Sequence, residues 1–234
     1  MTLKARKILT FDVVGTLIDF ETGILDYINQ KKSGLDPRSI LEAYAVAEDH
    51  QHHLTPRLPF PSMLAPMYRE MAVTLGLPAE EDDVLGFRLS IPRWPAFPDA
   101  IAALKRLRKN FRLVAMTNSD NWALDHFAAT LEQPFDDRVT AEEVGWNKPD
   151  PQFFAYVRGR QSVHGNTFHD FLHVAQSQYH DIAVAKQLGY HTCWIERRKG
   201  KAGAGATPTV GVITKPDYHF ATLQELADAV VRGD

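Results

Sequence analysis

The feature that most constrains the fold is a set of short, continuous apolar runs, each ended by a small or polar residue, at residues 8–11, 113–116, 171–175 and 192–195. A run with no polar alternation is what a strand shows when both faces of its sheet are covered, and that arrangement belongs to parallel sheets flanked by helices. Helical patterns lie between the runs at 100–109, 150–160 and 181–188, the last closed by Gly189, a residue suited to ending a helix. Strand and helix therefore alternate from Asp99 onward, which predicts an α/β, doubly wound (Rossmann-like) parallel sheet with its ligand at the carboxyl ends of the strands.

Residues 20–94 interrupt that rhythm. They show helical periodicity punctuated by prolines, as in Ile40, Leu41, Tyr44 and Ala47, then Met67, Met71 and Leu75. The expected organisation is a core of residues 1–19 and 95–234 carrying an inserted helical cap of residues 20–94 that overhangs the first strand.

Composition narrows the function. With 44% hydrophobic and 24% charged residues the chain is of ordinary globular type. A formal charge of -3 with interspersed signs gives no footprint for nucleic acid or an anionic membrane, so a small-molecule partner is expected. Its single cysteine, Cys193, lies in an apolar run and fits a reduced, cytoplasmic setting. The N-terminal apolar stretch is too short for a membrane span. The Gly- and Ala-rich stretch at 199–208 reads as a mobile surface loop. His50, His52 and His53 read as a solvated helix end, because no metal-ligand pattern accompanies them.

The chemistry concentrates at four places. In Phe11-Asp12-Val13-Val14-Gly15-Thr16-Leu17 a carboxylate ends a buried strand, where partial desolvation calls for compensating donors. Gly15 permits a tight turn and Thr16 offers a hydroxyl. After the second run come Thr117, Asn118 and Ser119. A lysine precedes a proline-marked helix start in Asn147-Lys148-Pro149. The third run leads into Gln176-Ser177-Gln178-Tyr179-His180-Asp181. Each lies at a strand end or a loop that opens a helix, so all four can converge on Asp12.

In order and spacing these elements resemble the four motifs of the haloacid dehalogenase superfamily, over nearly the whole chain. The resemblance implies that Asp12 is a nucleophile, that Thr16 and Thr117 position it or its substrate, that Lys148 neutralises its charge, and that Asp181 is the fourth-motif acid. Phosphatases of the superfamily carry a second aspartate two residues after the nucleophile. Here that position is Val14, which cannot serve as a general acid.

The segment around Asp12 is instead similar to the type II 2-haloacid dehalogenases, which implies displacement at C2 of a small carboxylic acid through an aspartyl ester, with no metal or other cofactor. A small carboxylate is the implied substrate, and a homodimer is the assembly that the resemblance allows. The first cap helices, however, offer no arginine near residues 41–48 to gather a halide, and Gln176 and Gln178 replace the usual serine and asparagine. The acids Asp19, Glu21, Glu48 and Asp49 suit a protonated amine as leaving group, as in ring opening of azetidine-2-carboxylate. Phe20, Tyr44, Phe60 and Tyr179 are the candidate pocket walls beside Val14, Asp19, Asn118, Gln176, Ser177 and Gln178. A divergent Mg-dependent phosphatase and a catalytically silent scaffold binding a carboxylate or a protein are the alternative readings.

Overall fold

A computed structural model describes residues 3–201, 203, 205–208 and 210–233. Six strands form one parallel sheet: β1 (Ile8–Phe11), β2 (Arg112–Thr117), β3 (Asp137–Thr140), β4 (Phe171–Ala175), β5 (His191–Ile195) and β6 (Tyr218–Phe220), in the spatial order β3-β2-β1-β4-β5-β6. The expected α/β doubly wound class is therefore the observed one. β1 sits in the middle with Phe11 in register with Ala115 on one side and Val174 on the other. All four of its residues are buried, which explains its unbroken apolar sequence. From β1 the chain moves outward to β2 and β3, then crosses back to β4. Strand order reverses beside β1, and the crevice at its carboxyl end is where such sheets bind ligands.

Between β1 and α5 (Ala100–Leu107) come four helices, α1 (Phe20–Lys31), α2 (Pro37–Leu54), α3 (Phe60–Leu75) and α4 (Glu81–Arg88). Asp36 and Pro37 start α2, the aspartate accepting from the amides of Arg38 and Ser39, and Gly76 ends α3 in the left-handed conformation. Tyr27, Tyr44, Tyr68 and Phe87 pack edge-on or tilted within this group. The chain leaves and rejoins the sheet side by side: Asp19 N–H donates to Pro95 O at 2.8 Å and Phe97 N–H to Leu17 O at 2.9 Å.

The remaining helices, α6 (Asn121–Thr130), α7 (Ala141–Val144), α8 (Pro151–Ser162), α9 (Ala183–Gln187) and α10 (Leu223–Arg232), complete the layers around the sheet. No described helix is long and apolar enough to cross a membrane.

One close approach fixes α1. A Cβ built on Gly23 would lie 2.3 Å from Cδ1 of Trp94, a fully buried indole. Gly23→Ala is expected to lose about 1–3 kcal/mol by overpacking, more than the ~1 kcal/mol that alanine gains in helix propensity, and urea unfolding measures the difference.

Candidate active site

Asp12 follows β1, and its backbone N–H continues the ladder by donating to Val174 O at 3.0 Å. Gly15, at φ +88°, turns the chain so that the Thr16 hydroxyl returns to donate to Asp12 Oδ2 at 2.6 Å. The same hydroxyl accepts the backbone N–H of Gln176 at 2.8 Å, tying the end of β4 to the loop after β1. Asp12 Oδ1 accepts from Lys148 Nζ at 2.9 Å, and that ammonium also donates to Asp181 Oδ1 at 2.6 Å. Behind Asp181, His173 Nε2 lies 2.9 Å from Oδ1 while its Nδ1 lies 3.0 Å from the Thr10 hydroxyl. The result is one buried chain of polar groups running from Thr10 across the sheet edge to Gln176.

Lys148 is held from its backbone. Asn118 Nδ2 donates to Lys148 O at 2.9 Å and Lys148 N–H donates to Asn118 Oδ1 at 2.7 Å. Asn118 thus uses its side chain as a clip between the loop after β2 and the lysine loop, and its carbonyl accepts from Phe60 N–H at 2.9 Å.

Burial affects the members of this chain differently. It pushes the Asp12 carboxyl above the ordinary carboxylate range, against the pull of Lys148 and Thr16. For Asp181 the same burial is outweighed by Lys148 and His173, which hold it at about 2. Burial opposes the Lys148 charge, but the two carboxylates raise its pKa above the usual lysine value. Asp181 Oδ2 is buried with no partner among the described residues.

A cavity of about 60 Å³ lies over Asp12, room for about four waters at ~15 Å³ each. Of the residues singled out in the sequence, Asp12, Val14, Phe20, Glu48, Phe60, Thr117, Asn118, Lys148, Gln176, Ser177 and Asp181 line it, and Thr16 stands directly behind Asp12. Four others lie elsewhere. Tyr44 is wholly buried among the helices against Phe20 and Phe87. Asp19 caps α1, accepting from Thr22. Gln178 bonds the backbone of Thr214. Tyr179 is exposed and faces a separate cleft with His53 and Trp146.

Sequence reasoning passed over His52, Ser119, His180 and Thr207 as parts of the wall. His52 was grouped with two solvent-facing neighbours, yet it follows Glu48 by four residues on α2 and shares its face, a spacing that could have revealed it. Its ring centroid lies 5.2 Å from that of His180. Burial lowers the pKa of both, that of His180 to about 3, so they enter the pocket as neutral imidazoles. The stretch at 199–208 is also not simply a surface loop. Ala202 and Ala204 lie outside the described residues, but Ala206 is buried with its N–H donating to Glu21 at 3.0 Å, and Thr207 reaches the cavity. Glu21 additionally pairs with Arg198, so it is committed to this strap.

The model of the haloacid dehalogenase-like hydrolases matches residues 6–189. The chain belongs to that family. No curated protein matches the hydrolase in sequence. Among solved structures it is similar to an L-2-haloacid dehalogenase from Xanthobacter autotrophicus with chloropropionic acid covalently bound, at 21% identity and TM-score 0.80, covering 97% of this chain and 99% of the other. Another L-2-haloacid dehalogenase matches at 20% identity and TM-score 0.78 with the same coverage. A putative HAD-hydrolase from Bacillus subtilis bound to magnesium matches at 18% identity and TM-score 0.73, again over 97% and 99%. These likenesses establish the fold of the hydrolase.

The oxygens around Asp12 are largely taken up by the hydrolase's own groups. Here an ammonium already stands between the two carboxylates, Thr16 takes the other oxygen of Asp12, and Val14 brings no side-chain oxygen. Among the described residues no group of three or more His, Cys, Asp and Glu side chains is placed to hold a metal.

Proposed function

We propose that this hydrolase displaces a leaving group from C2 of a small 2-substituted carboxylic acid through a covalent ester on Asp12, with residues 20–94 acting as the cap over the site. The observation that carries the reading is the Lys148 ammonium bridging Asp12 and Asp181 beneath a small cavity, with an apolar side chain at Val14. A carboxylate fixed by a cation and a hydroxyl is aimed by its environment and kept ionised, which is what an attacking oxygen requires. Val14 puts an apolar side chain two residues after Asp12, where the phosphatases of the superfamily carry the acid that protonates the leaving oxygen, so the arrangement supports displacement at carbon better than phosphate transfer.

In the first step an Asp12 oxygen forms a bond to C2 as the bond to the leaving group breaks, its electron pair departing with that group. The hydroxyls of Thr117, Ser119 and Ser177 and the imidazoles of His52 and His180 supply neutral donors for the substrate carboxylate. In the second step water adds to the Asp12 carbonyl carbon. Asp181 Oδ2 orients it, one proton passes by way of Asp181 to the departing alkoxide, and the other leaves as Asp12 ionises again. The product is a 2-hydroxy acid whose hydroxyl oxygen came from Asp12.

Single turnover in ¹⁸O water tests the route, with 2-chloropropionate and azetidine-2-carboxylate as substrates. The heavy oxygen is expected in the Asp12 side chain and absent from the first product released, as read by mass spectrometry of the peptide and of the hydroxy acid. Label found only in the product would mean direct attack by water and would overturn the ester.

A further inference from the structure

β4 places one imidazole among apolar side chains, in the order Phe171-Leu172-His173-Val174-Ala175, and every residue of the strand is buried. His173 takes no part in either step of the proposed reaction, yet an imidazole enclosed in a sheet is costly unless its ring nitrogens find partners. The parallel register sets Thr10 of β1 beside it, and the Thr10 hydroxyl lies 3.0 Å from Nδ1. Nε2 lies 2.9 Å from Asp181 Oδ1, and the ring of Phe154 stands edge-on to the imidazole with centroids 5.6 Å apart. An ionised carboxylate can only accept, so the hydrogen sits on Nε2, and in the neutral ring Nδ1 is left to accept from Thr10. The sheet thus sets both the orientation of the ring and its tautomer.

Two donors therefore meet on one oxygen. Asp181 Oδ1 takes the His173 N–H and the Lys148 ammonium, the latter at 2.6 Å, while Oδ2 is buried with no partner among the described residues. The two donors respond differently to the chemistry. Lys148 is shared with Asp12 at 2.9 Å, so its pairing changes once Asp12 becomes a neutral ester. The polar partners of His173 are Asp181 and Thr10, and neither is altered when that ester forms. Burial alone would raise the Asp181 carboxyl, but Lys148 and His173 outweigh it and keep the group ionised, at about 2.

We propose that His173 is a positioning residue for the second half of the reaction, holding Asp181 by Oδ1 so that Oδ2 remains the oxygen that takes a proton from the attacking water. That role rests on the Asp12 ester route and is confined to ester breakdown. There the water oxygen bonds to the Asp12 carbonyl carbon as one of its O–H bonds breaks, the proton passing to Asp181 Oδ2. The bond from that carbon to the oxygen of the hydroxy acid then breaks with its electron pair, and Asp181 returns the proton to this oxygen. Asp12, left as the acid, ionises. His173 keeps its Nε2 hydrogen throughout; it stores no charge and fixes which way the carboxylate faces.

The test follows both half-reactions in the intact hydrolase and in His173→Leu and His173→Gln, with 2-chloropropionate and azetidine-2-carboxylate as probes. Leucine has nearly the size of the imidazole and no donor, whereas the glutamine amide can put an N–H where Nε2–H stands. Acid quenching and mass spectrometry of the Asp12 peptide read the esterified fraction over time, which separates ester formation from its breakdown. Because a misplacement of about 1 Å can cost roughly 100-fold, His173→Leu is expected to lower kcat by about 10–100-fold. Ester formation stays nearly unchanged, so ester accumulates on Asp12, and His173→Gln restores most of the lost rate. Thr10→Val, isosteric and lacking only the hydroxyl at Nδ1, is expected to show the same accumulation to a smaller degree, and it carries the test should His173→Leu unfold. An unchanged kcat, or slower ester formation without accumulation, would overturn the role of His173 and leave the ester route standing. Absence of ester and of ¹⁸O label on Asp12 of the wild type with both probes would instead remove the route itself.

Discussion

Asp12→Asn is expected to abolish turnover, lowering kcat by about 10⁴-fold or more, the scale seen when a covalent nucleophile is removed. The amide keeps the size of the carboxyl; its one oxygen can still accept from Lys148 while its NH2 turns to donate to the Thr16 oxygen, so the cavity should hold its shape and still bind its ligand. Substrate binding by isothermal titration within about 10-fold of wild type, together with single-turnover rates at background, is the expected pair of results. A catalytically silent binder would show no change in either quantity, having no turnover to lose. Preserved turnover in Asp12→Asn would point to water attacking the substrate directly.

Lys148→Met carries the second large effect, and it acts on stability and rate together. The ammonium is buried between two carboxylates, and removing one partner from such a cluster typically costs about 3–5 kcal/mol because the others remain uncompensated. The direction with pH follows from the individual groups. In the wild type Asp181 is held at about 2, so its contribution is present above the ordinary aspartate range and is lost as pH falls toward 2.

Without Lys148 both carboxyls are pushed upward by burial. A raised folded-state value favours the protonated protein, so the deficit of the variant grows as pH rises through those values. Urea unfolding at pH 4 and pH 7 should show the larger difference from wild type at pH 7. Catalysis moves in the opposite sense, because Asp12 must be ionised to attack. Its value already lies above the usual range, so kcat/KM of the wild type falls in acid, and in Lys148→Met that limb moves to higher pH. A variant with wild-type stability and an unmoved acid limb would show that Lys148 does not hold Asp12 in its charged form.

Parts of this molecule can be read directly from the sequence. β1, β2, β4 and β5 are continuous apolar segments because helices cover both sheet faces, and the groups at their carboxyl ends had to meet once the sheet was parallel. β3 and β6 escaped notice because they are edge strands: Asp137 and Arg138 open one, and His219 is exposed in the other.

The cavity wall was less legible for a different reason. Which face of α2 looks inward is decided by packing among four helices, and it sends Tyr44 into their common core while Glu48 and His52 face Asp12. After β4 a single π-helical turn over Gln178–Ile182, with Ala183 N–H reaching back to Gln178 O, rotates the side chains away from their α-helical positions. His180 and Asp181 turn inward, and Tyr179 turns out. Such a turn has no marker in composition or periodicity.

The two hydrogen bonds between the Asn118 side chain and the backbone of Lys148 have a bearing on how the barrier is lowered. Water would have to reorient as charge leaves Asp12; an ammonium whose main chain is anchored at both its N–H and its carbonyl has little left to rearrange. The electrical work of placing a positive charge beside the attacking oxygen is thus done while the chain folds, before any substrate arrives. Improvement of this hydrolase by evolution is then expected to proceed through the surfaces that meet the leaving group, since the half of the site that meets C2 is already set like a fixed electrode.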